Sequence, residues 1–252
     1  MSNIKKKSRE EIKLMKRAGH IVALCHKKVR ELIEPGINTL EIDNLIVNIT
    51  KENKAIPTFL NYNGFPFAAC ISVNEQVVHG FPSKDVILKE GDIVSVDIGA
   101  TFHGLCADSA WTYPVGNISD DCKMLLEKTE AGLFAGIDKM RANGKLDDVS
   151  SAIEDVANKN NLGIVRQYGG HGVGHNLHEE PFVYNYSVGN QLILKEGMTV
   201  AIEPMFNLGG DDVYTLADGW TVVTTDHKPS AHFEHTVLVT PDEPVIITQL
   251  QE

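Results

Sequence analysis

Residues 95–114 read SVDIGATFHGLCADSAWTYP, and the placement of Asp97 and Asp108 within this run decides the fold. Both carboxylates fall inside apolar segments, 93–99 and 105–113, which read as two strands joined by a turn. Alternation with period two puts Ile93, Ser95 and Asp97 on one face of the first strand. Cys106, Asp108 and Ala110 share a face of the second, so small neighbours leave room around each acid. Hydrophobic side chains would ordinarily fill such positions, and the acids need a reason to be there.

A second stretch supplies that reason. LKEGDIVSVD (88–97) and LKEGMTVAIE (194–203) share a turn followed by a β-rich run, and each ends in a carboxylate six positions past the glycine. Asp97 and Glu203 are thus expected to be equivalent in an internal duplication, with halves at approximately 10–120 and 121–250 of one domain spanning 1–252. Each half adds a second acid, Asp108 in the first and Glu234, within AHFEHTVLV, in the second. Four such carboxylates meeting uncompensated would repel one another and take up protons. Two divalent cations would balance them, and metal coordination deprotonates a bridging water into a hydroxide nucleophile.

YGGHGVGHNLHEEP (168–181) brings nitrogen to this oxygen-rich set. Its glycines let backbone run close to a filled site around His171, while His178 lies seven residues on, in reach as an assisting or substrate-contacting group. One imidazole among four carboxylates suits Mn, Fe, Co or Zn better than Ca. His79 follows a short apolar run in VVHGFP. The other histidines, His232 among them, are expected to be structural or solvated. Competing signatures fail: the glycine run lacks GxGxxG spacing, HEE at 178–180 does not extend to HExxH, and there is no GxSxG elbow or Walker loop.

The rest of the chain frames the site. Hydrophobic content of 42% in 252 residues indicates a globular protein, and no apolar run approaches the roughly 20 residues that span a bilayer. Four cysteines without CxxC spacing and no secretory leader point to the reducing cytoplasm. Residues 1–30 hold ten Lys/Arg and two Glu, net +8, while the remaining 222 residues carry −19. A chain so acidic overall is a poor general nucleic-acid binder, although its basic start invites contact with something anionic such as RNA. Helices are expected at 8–33, from Thr39 as N-cap to about Lys54, at Ser119–Met140 and at Asp147–Asn158. Further strands are expected at 69–73, 77–79, 164–168, 198–203, 221–225, 232–239 and 244–248, giving a mixed α+β order.

YNGFPFAACISVNEQVVHGFP, GDIVSVDIGATFHGLCADSAWTYPVG, GGHGVGHNLHEEP, VAIEPM and AHFEHTVLV together resemble the bacterial type 1 methionine aminopeptidases, which have the pita-bread fold. The resemblance spans nearly the whole chain. It implies two related α/β halves around a dimetal site, with Asp97, Asp108, His171, Glu203 and Glu234 as ligands. Asp97 would chelate the second ion, Asp108 and Glu234 would bridge, and His171 and Glu203 would complete the first. It further implies removal of N-terminal methionine from nascent chains with a small second residue, Glu203 as proton acceptor, His178 as donor to the developing oxyanion, and His79 at the scissile nitrogen. Phe59, Tyr62, Phe65, Cys70, Leu177 and Trp220 would surround the methionine side chain. Phe59, Phe65 and Leu177 depart from the commoner Cys, Tyr and Phe of that pattern. Asn74, Gln76 and Ser230 match a Na⁺ or K⁺ position, and a monomer with transient ribosome contact is the expectation. Two rival readings are an Xaa-Pro peptidase of the same fold and a non-enzymatic ribosome-associated binding protein built on that scaffold.

Overall fold

A computed structural model describes residues 4–250. Helix α1 (Arg9–Leu32) begins at Ser8, which forms a capping box with Glu11, and buries Ile21, Val22, Cys25 and Val29 along one face. Helix α2 (Thr39–Glu52) is capped by Asn38 and not, as the sequence suggested, by Thr39. The Thr39 hydroxyl is already engaged, donating to the Ser83 carbonyl and accepting from the Ser83 N–H, which leaves the cap to its neighbour. Both helices pack on an antiparallel sheet of Ile56–Pro57, Ala69–Val73, Ile93–Phe102 and Leu105–Pro114, enclosing Ile42, Ile46, Ile71 and Val96.

A second helix pair packs on a second sheet. Helices α3 (Asp120–Ile137, capped by Ser119) and α4 (Leu146–Lys159) enclose Leu125, Leu133, Val149 and Ile153 against strands Thr199–Ile202 and His235–Leu238. Those strands belong to a five-stranded sheet with Gly170–Gly172, Glu179–Val183 and Val245–Ile246. Trp111 packs against the cores of both halves.

The LKEG turns occupy matching places. Leu88 and Leu194 are buried, and Gly91 and Gly197 adopt φ of +91° and +86°, a conformation that tolerates no Cβ without strain. Asn38, at the start of α2, bridges to Ile87, and Lys145, at the start of α4, bridges to Ile193. Leu88 N donates to Ile37 O as Leu194 N does to Gly144 O.

Four expected elements differ, among them the strand foreseen at 244–248, which is only Val245–Ile246. The strand foreseen at 164–168 is only Gly163–Ile164, since after one last bond from Val165 N to Met205 O the chain turns toward the glycine-rich loop. Helix α3 stops at Ile137, three residues short of Met140. The run 232–239 is interrupted: Phe233 N donates to Pro204 O and Glu234 N to Ala110 O, so the backbone leaves one sheet to touch the other half before resuming at His235. No described helix is long and apolar enough to cross a membrane.

Candidate metal centre

The hairpin 93–114 is a continuous ladder in which Asp97 lies opposite Ala110 and Asp108 opposite Gly99. Register therefore puts both acids on one face, diagonal to each other, with the smallest possible partners across the strand. Hydroxyls join this hairpin to the second half where no regular ladder exists. Ser109 Oγ donates to Glu234 O at 2.6 Å, Thr112 Oγ1 donates to His232 O and accepts its N–H, and Thr236 Oγ1 donates to Asp108 O. That lacing sets Glu234 against the two aspartates.

His171 enters from strand Gly170–Gly172 of the five-stranded sheet, between Thr199–Ile202 and Glu179–Val183. Its Nδ1 lies 3.0 Å from Gly172 O, so the proton sits there and Nε2 is left as a lone-pair donor. Nε2 is 3.6 Å from Asp108 Oδ2 and 3.4 Å from Glu203 Oε1. Gly170 allows the approach, because a Cβ there would stand 2.1 Å from Ala201 O.

Asp108, His171 and Glu234 each offer a ligand atom within 4.8 Å of the others, and all three are buried. Glu203 adjoins them through its contact with His171. Asp97 lines the same cavity, with Oδ1 buried and without a hydrogen-bond partner; Glu234 Oε1 is in the same state. Burial, reinforced by neighbouring carboxylates, raises the pKa of Asp97, Glu203 and Glu234 well above the ordinary range, and burial raises that of Asp108. Burial also depresses His171 to about 4, keeping it neutral. Unsatisfied oxygens beside a neutral imidazole are a poor apoprotein arrangement and a fitting divalent-cation cradle.

The cavity measures about 650 Å³. Phe59, Phe65, Cys70 and Leu177 form one apolar wall, with Tyr62 and Trp220 packed on it and Phe65 edge-on to Trp220 at 5.2 Å. His79, held at φ +61°, and His178 flank the opening toward the acids. Tyr62 Oη lies 2.9 Å from His178 Nδ1, and the His178 ring stands edge-on to His171 at 4.3 Å. His79 stacks edge-on against Tyr168, and burial lowers its pKa to about 4.

His232 is the residue whose place the sequence reading missed. It lines the cavity with Nε2 3.4 Å from Glu203 Oε2 and no hydrogen-bond partner on that nitrogen. The signal was available, since period-two alternation through 232–239 puts His232 on the same face as Glu234. Asn74, Gln76 and Ser230 do converge: Ser230 N donates to Asn74 O, and the Asn74 and Gln76 side-chain oxygens accept the N–H groups of Ile93 and Val73.

With this geometry in hand, likeness to known proteins is informative. The profile of metallopeptidase family M24 matches residues 13–241. "Methionine aminopeptidase 1" of Bacillus subtilis (strain 168) is 50% identical over 235 residues, covering 93% of this chain and 94% of that protein. The crystal structure of methionine aminopeptidase from Thermotoga maritima superposes with a TM-score of 0.96 at 42% identity, covering 98% of this chain and 99% of that one. An Xaa-Pro dipeptidase from Bacillus anthracis shares the fold at 21% identity and a TM-score of 0.78, but this chain spans only 62% of it. The chain has the pita-bread fold and belongs to metallopeptidase family M24, among the methionine aminopeptidases.

Proposed function

We propose that this chain is a metal-dependent methionyl aminopeptidase acting on the N-termini of peptides and nascent chains, with Asp97, Asp108, His171, Glu203 and Glu234 holding two divalent ions. The observation that carries this reading is the buried acid cluster with unpartnered oxygens on Asp97 and Glu234 beside a neutral His171. When bound, divalent ions supply Lewis acidity, which lowers the pKa of water and polarises a carbonyl.

The protein's own groups do the rest. The apolar wall of Phe59, Phe65, Cys70 and Leu177 takes an unbranched thioether side chain and excludes water from it. His178, oriented by Tyr62, donates its Nε2 proton to the carbonyl oxygen as negative charge develops there. Glu203 accepts a proton on a carboxylate oxygen. His79 contacts the scissile nitrogen. A preference for a small second residue belongs to the same reading. The matching LKEG turns and bridged helix starts support reading the two halves as copies of one unit within a single domain. A monovalent cation near Asn74, Gln76 and Ser230 would rest on backbone oxygens, the side-chain oxygens of Asn74 and Gln76 being occupied. A cytoplasmic monomer with brief ribosome contact completes the reading.

Metal titration of the stripped protein on a Met-Ala peptide, with methionine release and bound metal measured together, is the test. Turnover should rise saturably with loading, while Xaa-Pro peptides stay intact. Full methionine release after verified chelation would overturn the reading.

A further inference from the structure

The segment ahead of α1 and the first turn of that helix grip the loop carrying Leu177 and His178 at one point each. Lys7 is 6% exposed, and its Nζ lies 2.7 Å from Glu179 Oε2, next in sequence to His178. Glu179 Oε1 in turn accepts the Asn176 N–H at 3.1 Å. The lysine backbone is fixed as well, donating to Gly197 O at 2.7 Å. Gly174 makes room for its stem, since a Cβ there would stand 2.0 Å from Lys7 Cε. One helical turn on, Glu11 closes the capping box with Ser8 through Oε2 and meets His175 Nε2 at 2.6 Å through Oε1.

Between strands Gly170–Gly172 and Glu179–Val183 the loop has little regular bonding of its own, and the ladder shifts register there. His178 is exposed, so core packing does not fix it. Its ring is held by Tyr62 from one side, and the adjacent backbone is tied down by the buried ion pair. We propose that residues 4–11 form a strap whose Lys7–Glu179 pair, seconded by Glu11–His175, positions His178 over the catalytic cavity, making Lys7 and Glu179 positioning residues of the reaction.

The proposal rests on the role given to His178 above, and the test separates the two. Lys7→Met in the full chain, metal-loaded, should lower kcat on a Met-Ala peptide by about 10- to 100-fold, the scale of a small misplacement at the reacting centre. KM should stay within about twofold, since the apolar wall is untouched. Amide hydrogen exchange at 174–180 in the metal-free protein should accelerate. In a His178→Ala background the same substitution should cost less than about twofold, because interacting groups are non-additive. His175→Ala, at an exposed position, should give a smaller kcat loss of about two- to fivefold that also disappears in that background, and it carries the test if Lys7→Met does not fold. An equal fractional loss with and without His178 would overturn the strap as a positioning device. So would unchanged kcat in Lys7→Met beside a disabled His178→Ala. A His178→Ala variant at full kcat would overturn the proposal through its premise instead.

Discussion

Asp97 and Asp108 sit eleven residues apart on one unbroken hairpin, whereas Glu203 and Glu234 are separated by the excursion 205–232, which contributes four short strands and Trp220. In the first half a ladder fixes the acids, and local sequence suffices to place them. In the second half Glu234 stands in a break between strands, its N–H donating to Ala110 O and its carbonyl accepting from Ser109 Oγ, both contacts to the hairpin. The acids of the first half are thus placed by neighbours in sequence, and Glu234 by partners more than a hundred residues away.

Breaking either pair should have the largest effect. Asp97→Asn and Glu234→Gln should each lower turnover by more than the roughly 100-fold upper range seen when groups behind metal ligands are removed. Their metal-free stabilities carry the comparison further. A carboxylate whose pKa is raised in the folded state stabilises the fold fully below its unfolded pKa, and that contribution is lost as pH rises toward the folded value. At pH 7 the metal-free wild type is thus short of stability, and each substitution should raise its unfolding free energy by about 1–3 kcal/mol, the cost of an unpartnered buried polar group. Chemical denaturation of stripped protein measures this; a stability loss at pH 7 in both variants would contradict the account of the cluster as a strained apoprotein site.

Next in size is His178→Ala, expected to lower kcat by about 100-fold as loss of one donor to a developing oxyanion. Tyr62→Phe, which removes only the hydroxyl that orients His178, should cost about tenfold. Single-turnover kinetics on a Met-Ala peptide distinguish these from binding losses.

Much of the first half was legible because a period-two pattern is written locally: the hairpin, its acids and the repeated LKEG turn all follow from short-range rules. The two- and three-residue strands at Ile56–Pro57, Gly170–Gly172, Met205–Asn207 and Val213–Thr215 were not, since so short a strand exists only by virtue of distant partners. Resemblance supplied ligand roles that spacing alone left open. His232 went unrecognised for the same reason the second half is harder to read. Its contact with Glu203 depends on Thr112 holding the His232 backbone from the other half. Two changes sharpen the point. His232→Ala should cost about tenfold in turnover by releasing Glu203. Thr112→Val should cost about 1–3 kcal/mol of stability, with two backbone groups left unpaired, and part of the same turnover.

The smallest effect concerns the junction away from the cavity, where α1 meets the hairpin. His26 Nδ1 lies 2.9 Å from Tyr113 Oη and Nε2 lies 2.9 Å from Ser109 O, beside the serine whose hydroxyl reaches Glu234. Burial depresses its pKa to about 3, with nearby His235 and Arg30 adding to the shift. A folded-state pKa below the unfolded value near 6.5 means stability that is complete above pH 6.5 and drains as pH falls toward 3. Its slope is about 1.4 kcal/mol per pH unit, so about 2 kcal/mol disappears between pH 6.5 and pH 5. Other buried histidines titrate in the same direction, and the difference between wild type and His26→Asn isolates this one. The variant should be less stable by about 1–2 kcal/mol at pH 7 through its lost hydrogen bonds, and the gap should close or reverse by pH 5 in urea unfolding of the stripped protein. A gap that stays constant across that range would show that His26 is not held neutral, and that the junction beneath the hairpin admits charge.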